Sequence, residues 1–248
     1  MRLRAMTLLL LLSMLFCVSA QADPLILAED LSGETAFPLG EDSEVQYLYS
    51  YAYPQVLESD PSAGLINQFY AYLVSDALDF EIPMMVDFYT AQQPQEDIFV
   101  RISYEVTCNR EDYFSILLKT EGNDYLTYTG HTFSRLDLKP GSSVALPYLL
   151  GILATDESDT WLQERQTAKA DDLVRSLVWT ELQSRRETLG VYEDLDRELF
   201  DLVFYPEEDF YLDETGNPVF YLEPGSAADP ASGLLRFPIN LWDILDEM

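Results

Sequence analysis

Val45, Tyr47, Tyr49, Tyr51 and Tyr53 alternate with Gln46, Leu48, Ser50 and Ala52. A period of two predicts a strand with one tyrosine-bearing face. Asp60 and Pro61 then supply a cap and a proline suited to a first helical turn. Leu65, Ile66, Phe69, Tyr70, Leu73 and Ala77 follow at helical spacing, and stripes of this kind normally face a core. Ile98, Val100, Ile102, Tyr104 and Val106 restore the alternation, and residues 109–112 read as a turn into Phe114, Ile116 and Leu118. Residues 125–133 and 136–138 predict two further strands, and Val144 and Leu146 resume the pattern after a turn at Lys139, Pro140 and Gly141.

Helical spacing returns after Asp156 through Ala170, Leu173, Val174, Leu177, Val178 and Leu182, and Gly190 breaks it. A shorter helix carries Tyr192, Leu195, Leu199, Leu202 and Val203. Strands at 210–212, 219–222 and 237–241 close the chain. Strands mostly joined by hairpins, with helices between them, predict an α+β fold with mainly antiparallel sheet and three main helices. Two closely packed halves are expected, 44–140 and 141–248, because the hydrophobic pattern crosses the join without a flexible linker.

The N-terminal pattern has another meaning. Arg2 and Arg4 precede an apolar run too short to span a bilayer comfortably, and Ala20-Gln21-Ala22 follows it. This predicts a signal peptide over 1–22, cleaved after Ala22. Phe16, before Cys17, is the wrong residue for a lipoprotein site. Residues 23–43 are acidic and turn-rich and read as a tail. The expected location is extracellular or in the cell envelope, with no stable membrane span after cleavage. Cys108 would then be the remaining cysteine, excluding an internal disulfide, and it reads as a small buried hydrophobe.

Charge changes the picture most. Of 248 residues, 44 are acidic and 14 are Lys or Arg, a formal charge of −30. Removing residues 1–22, which hold two of the basic residues and no acid, takes it to −32. With 48% hydrophobic residues the chain is too apolar to be a disordered acidic tail. A polyanion repels phosphate, so nucleic acid and anionic membranes are excluded as partners and a basic protein is favoured.

Candidate chemistry is sparse. His131 is the single histidine, and no glycine-flanked serine elbow, P-loop or dinucleotide fingerprint accompanies it. Glu207, Glu208 and Asp209 could flank a glycosidic bond as acid and base, but among so many acids a solvated charge run explains them better. Residues 213–217 lack the ligand spacing of a calcium loop and read as a hairpin turn. A non-catalytic protein without cofactor or metal is therefore expected. The alternatives are an envelope glycan-processing enzyme using paired carboxylates and a structural cell-envelope module.

The C-terminal run FYPEEDFYLDETGNPVFYLEPGSAADPASGLLRFPINLWDIL resembles the extracellular domain of RsiV-like anti-sigma factors, through Phe210-Tyr211-Leu212, Val219-Phe220-Tyr221-Leu222, the loop at 225–233 and Phe237-Pro238-Ile239. Upstream, YPQVLESDPSAGLINQFYAYL is similar to the companion domain of PdaC-type peptidoglycan deacetylases, through Tyr53-Pro54 and Ile66-Asn67. Thr129-Gly130-His131, Asp137-Leu138 and Gly141 stand where the RsiV-like family has a glycine-histidine turn and an Asp-Leu-x-x-Gly strand pair. In such receptors this module lies outside the membrane and binds lysozyme. The resemblance therefore implies a secreted binding protein for a cationic, lysozyme-like wall hydrolase. Its contacts are expected at Thr129, Gly130 and His131, and at Gly225, Ser226, Asp229 and Gly233. No anti-sigma segment, spanning helix or deacetylase domain accompanies the module here, so the expectation is the extracellular module alone.

Overall fold

The computed structural model describes residues 23–41, 43–136, 139–152 and 160–248; the signal peptide expected at 1–22 lies outside the described residues. Strands β1 (Leu31–Pro38), β2 (Gln46–Tyr53), β3 (Ile98–Asn109), β4 (Tyr113–Gly122) and β5 (Leu126–Ser134) form one sheet in chain order. The fold is α+β. Its neighbours pair antiparallel except β2 and β3, which run parallel. A parallel step needs a long crossover. Here it consists of α1 (Ala63–Asp76), a π-helical turn (Ala77–Glu81) and α2 (Ile82–Gln92).

Two expectations fail in this region. Residues 23–43 are not merely a tail, because β1 pairs with β2 from Leu31 opposite Tyr53 to Pro38 opposite Gln46. An edge strand held by backbone bonds needs no strong alternation, and most β1 side chains are exposed. α2 escaped notice because it buries Ile82 alone and leaves other large apolar side chains in solvent, which blurs the period.

Three more corrections lie further along the chain. Leu146 opens a short helix, α3 (Leu146–Leu149), rather than extending a strand, since Pro147 suits a first helical turn. Leu136 lies beyond the end of β5, and the rest of the strand expected at 136–138 is outside the described residues. α4 (Thr160–Ser184) buries Ala170, Val174, Val178 and Leu182, one side chain per turn. It is followed by α5 (Arg186–Leu189) and α6 (Arg197–Val203), whose Asp196 cap accepts a hydrogen bond from Leu199 N–H. β6 (Phe210–Leu212), β7 (Pro218–Leu222) and β8 (Leu235–Pro238) form a second, antiparallel sheet. The last expected strand stops at Pro238 because Asn240 caps α7 (Leu241–Leu245).

β4 is buried on both faces. Phe114 and Ile116 pack with Ile66, Tyr70 and Val74 of α1, while Leu117 packs with Tyr211, Val219 and Tyr221 of the second sheet. Ser115 Oγ lies 2.9 Å from Thr132 Oγ1 and accepts Leu212 N–H at 3.0 Å, which satisfies a hydroxyl that would otherwise be costly to bury. Cys108 sits in the core of the second half, and burial pushes its thiol up to about 12, leaving it inert as a nucleophile.

Candidate functional site

Of the sequence-derived contact residues, Thr129 and Asp229 are exposed and the others are partly buried. Thr129, Gly130 and His131 lie inside β5 rather than at a turn, and of the three Thr129 is exposed. Gly130 faces the second sheet, where its N–H donates to the Tyr221 hydroxyl at 3.1 Å. A Cβ at this position would overlap the Phe210 carbonyl oxygen, so only glycine admits β6 so close. His131 faces the other way. Its ring packs edge-on to Phe69, and its Nδ1 is 3.4 Å from the Tyr70 hydroxyl. Desolvation lowers its pKa to about 4.

The loop at 225–233 is likewise tied into the fold. Gly225 and Gly233 take positive φ angles of 84° and 69°, and Ser226 Oγ donates to the Glu223 carbonyl. Asp229 accepts Ala231 N–H at 2.8 Å, and Ala227 accepts Tyr192 N–H at 3.0 Å. Asp213 Oδ1 accepts bonds from Thr215 and Asn217 within its own turn. That use of the carboxylate is the chemistry of a hairpin.

A carboxylate pair that the sequence only half disclosed gathers at one end of the β6–β7 hairpin. Asp209, through its backbone carbonyl, pairs with Tyr221 N–H, and its carboxylate accepts Tyr205 N–H at 2.6 Å. Glu223 Oε1 accepts Tyr128 N–H at 2.8 Å, tying β5 to the end of β7, whereas its buried Oε2 has no partner. Burial raises Asp209 to about 6 against the opposing Tyr205 bond, and nearby Glu208 adds to the shift. Burial raises Glu223 to about 7 despite the Tyr128 bond, with Asp209 contributing. Only three-dimensional pairing reveals Glu223, since fourteen positions of chain separate it from Asp209.

The raised pKa of Glu223 fixes a sign. Its carboxylate costs stability above about pH 7, and that cost is relieved as pH falls from 7 toward the unfolded value of 4.5. Glu223→Gln is therefore expected to stabilise the protein at pH 8 by about 1 kcal/mol, allowing for partial exposure, with the gain vanishing below pH 4.5. Chemical denaturation at the two pH values measures it, and a pH-independent difference would contradict the assignment.

Exposed apolar side chains also line up along the crossover. Phe80, Met84 and Phe88 are one helical turn apart and 69%, 67% and 54% exposed. Residues 63–92 around them hold Asp76, Asp79, Glu81 and Asp87 and no lysine, arginine or histidine. An apolar stripe in a one-signed field has the anatomy of an interface for a protein of opposite charge. Arg110, Lys119, Arg135, Arg175, Arg185 and Arg197, by contrast, are each matched with a carboxylate. Neither this stripe nor α2 was visible in the pattern.

Comparison with solved structures places the architecture. A DUF3298 family protein from Bacteroides fragilis aligns over 91% of this chain and 94% of its own, with a TM-score of 0.51 and 11% identity. The chain has the fold of that DUF3298 protein. A second DUF3298 family protein, from Pseudomonas aeruginosa, covers the same shares at a TM-score of 0.47 and 13% identity. No protein-family model and no curated protein matches the chain. Within this DUF3298-type fold, among the described residues, no helix is long and apolar enough to cross a membrane, and no group of three or more His, Cys, Asp or Glu could hold a metal ion.

Proposed function

We propose that this is an exported, non-catalytic binding protein whose partner is a strongly basic protein, a lysozyme-like wall hydrolase being the candidate, docked on the α1–α2 face. The carrying observation is the exposed Phe80–Met84–Phe88 stripe within a segment whose ionisable side chains are all acidic. The resemblance to RsiV-like receptors supports the lysozyme-like partner, and the charge of −30 supports its sign. Charge accelerates encounter; the apolar stripe supplies the desolvated contact that specificity requires.

The test is calorimetric titration of the protein with lysozyme and with an equally basic unrelated protein, at low and at physiological salt. Saturable lysozyme binding that survives physiological salt and excludes the control is the expected result. Binding that disappears with salt, or treats both proteins alike, would overturn the reading.

A second reading draws on Asp209 and Glu223, raised to about 6 and about 7. A carboxyl held protonated beside an ionised one is the division of labour in glycan hydrolysis. Incubation with peptidoglycan separates the two readings: released fragments that vanish in Glu223→Gln would favour the enzyme.

A further inference from the structure

Beside the apolar stripe, the π-helical turn opens a cavity of about 460 Å³ against the tyrosine face of β2. Tyr47, Tyr49 and Tyr53 line it from the sheet, Asp76 and Glu81 from the two ends of the turn, and Tyr125 from the start of β5. Such π insertions are frequent at functional sites because they redirect side chains that a regular helix would align.

Three features of the cavity are unspent. Tyr49 is 3% exposed, and its buried hydroxyl has the Tyr53 hydroxyl as its one polar neighbour, with which it forms no well-aligned hydrogen bond. A buried hydroxyl left unbonded is costly, so its persistence points to a ligand. Asp76 and Glu81 have no ion-pair partner among the described residues, and no basic side chain lines the cavity. Tyr125 reaches over the opening only because residue 122 is glycine: a Cβ there would overlap its ring.

Burial raises Tyr47, Tyr49 and Tyr53, and the negative charge of Glu81, which lines the same cavity, adds to each shift. Ring faces next to unneutralised carboxylates attract a cation and repel phosphate.

We propose that this pocket is the anchor for an arginine side chain of the basic partner, its guanidinium lying among the tyrosine rings and donating to Glu81, Asp76 and the Tyr49 hydroxyl. This deepens the functional reading above and rests on it. A planar, five-donor cation fits a site with several acceptors better than an ammonium does. Met84 belongs both to the pocket lining and to the exposed stripe, so one partner surface reaches both.

Acetyl-arginine amide tests the pocket without any partner protein, followed by the tyrosine ring resonances of the intact chain. Acetyl-citrulline amide, equal in shape but uncharged, is the control, and an N-acetylglucosamine oligomer tests for a sugar. Saturable shifts of Tyr47, Tyr49, Tyr53 and Tyr125 with the arginine probe alone are expected. Glu81→Gln should weaken binding at least tenfold, and Gly122→Ala should weaken it by displacing Tyr125. Glu81 is exposed, so unchanged thermal unfolding of Glu81→Gln will confirm that its fold is intact. An equal response to citrulline, tighter binding of the oligomer, no saturable shift, or indifference to Glu81→Gln would overturn the proposal. If lysozyme binds wild type and Glu81→Gln equally, the pocket fails and the interface stands. If the arginine probe binds and no basic protein does, the pocket stands and the functional reading fails.

Discussion

Gly130→Ala is expected to destabilise the protein by at least about 3 kcal/mol, at the upper end of what overpacking costs. The added Cβ would meet the Phe210 carbonyl oxygen, which is backbone and cannot rotate away. Seating β6 would also break the Gly130 N–H bond to Tyr221, whose hydroxyl donates to the Tyr128 carbonyl at 3.3 Å. Thermal unfolding should show the midpoint falling by roughly 10 °C for a domain of this size. A variant that melts within 2 °C of the wild type would mean that the two sheets are not packed as closely as described.

His131→Gln is expected to remove an acid-sensitive step of about 2–3 kcal/mol. In the folded protein burial holds the imidazole at about 4, against 6.5 in the unfolded chain. The unfolded state therefore takes up the proton first. Stability is complete above pH 6.5 and is lost as pH falls toward 4. The groups facing the ring are Phe69, Tyr70 and Phe133, which offer an imidazolium no counter-charge. Asp209 and Glu223, raised by burial, act in the opposite sense over pH 7 to about 4. The measurement is denaturant unfolding at pH 7 and pH 4.5. The variant should lose less stability than the wild type between them, and parallel losses would contradict a buried neutral histidine.

These adjacent residues show how far the sequence could be read. The glycine-histidine pair was picked out by the family resemblance, as a turn, yet the sequence could not say that one faces a second sheet and the other a helix. In β4, alternation correctly marked Phe114, Ile116 and Leu118 as core, but Ser115 and Leu117 are buried on the opposite face too. Burial on both faces erases the period that would announce it. α1 was legible because Ile66, Phe69, Tyr70, Leu73 and Ala77 recur at helical spacing, and of these Ile66 and Tyr70 are buried in it, although Val74, also buried, was not singled out. α2 was not legible, since Met84 and Phe88 face solvent and Ile82 is its one fully buried residue. The same departure from a core pattern is what led to α2 being proposed as a partner surface, so the part of the proposed site that sequence missed is the part that breaks the folding rule. The tyrosine alternation of β2 was read as core, and it is core at Tyr47, Tyr49 and Tyr53, which also line the cavity.

The central claim is that a basic protein docks on the α1–α2 face. Its most direct test compares two double variants in calorimetric titration with lysozyme at physiological salt. Phe80→Lys with Phe88→Lys places two positive charges on exposed positions of the proposed face, and Leu199→Lys with Leu202→Lys does the same on exposed positions of α6. The first pair is predicted to weaken binding at least tenfold while the second leaves it within twofold of the wild type. Equal weakening by both pairs, or no weakening by the first, would contradict the account.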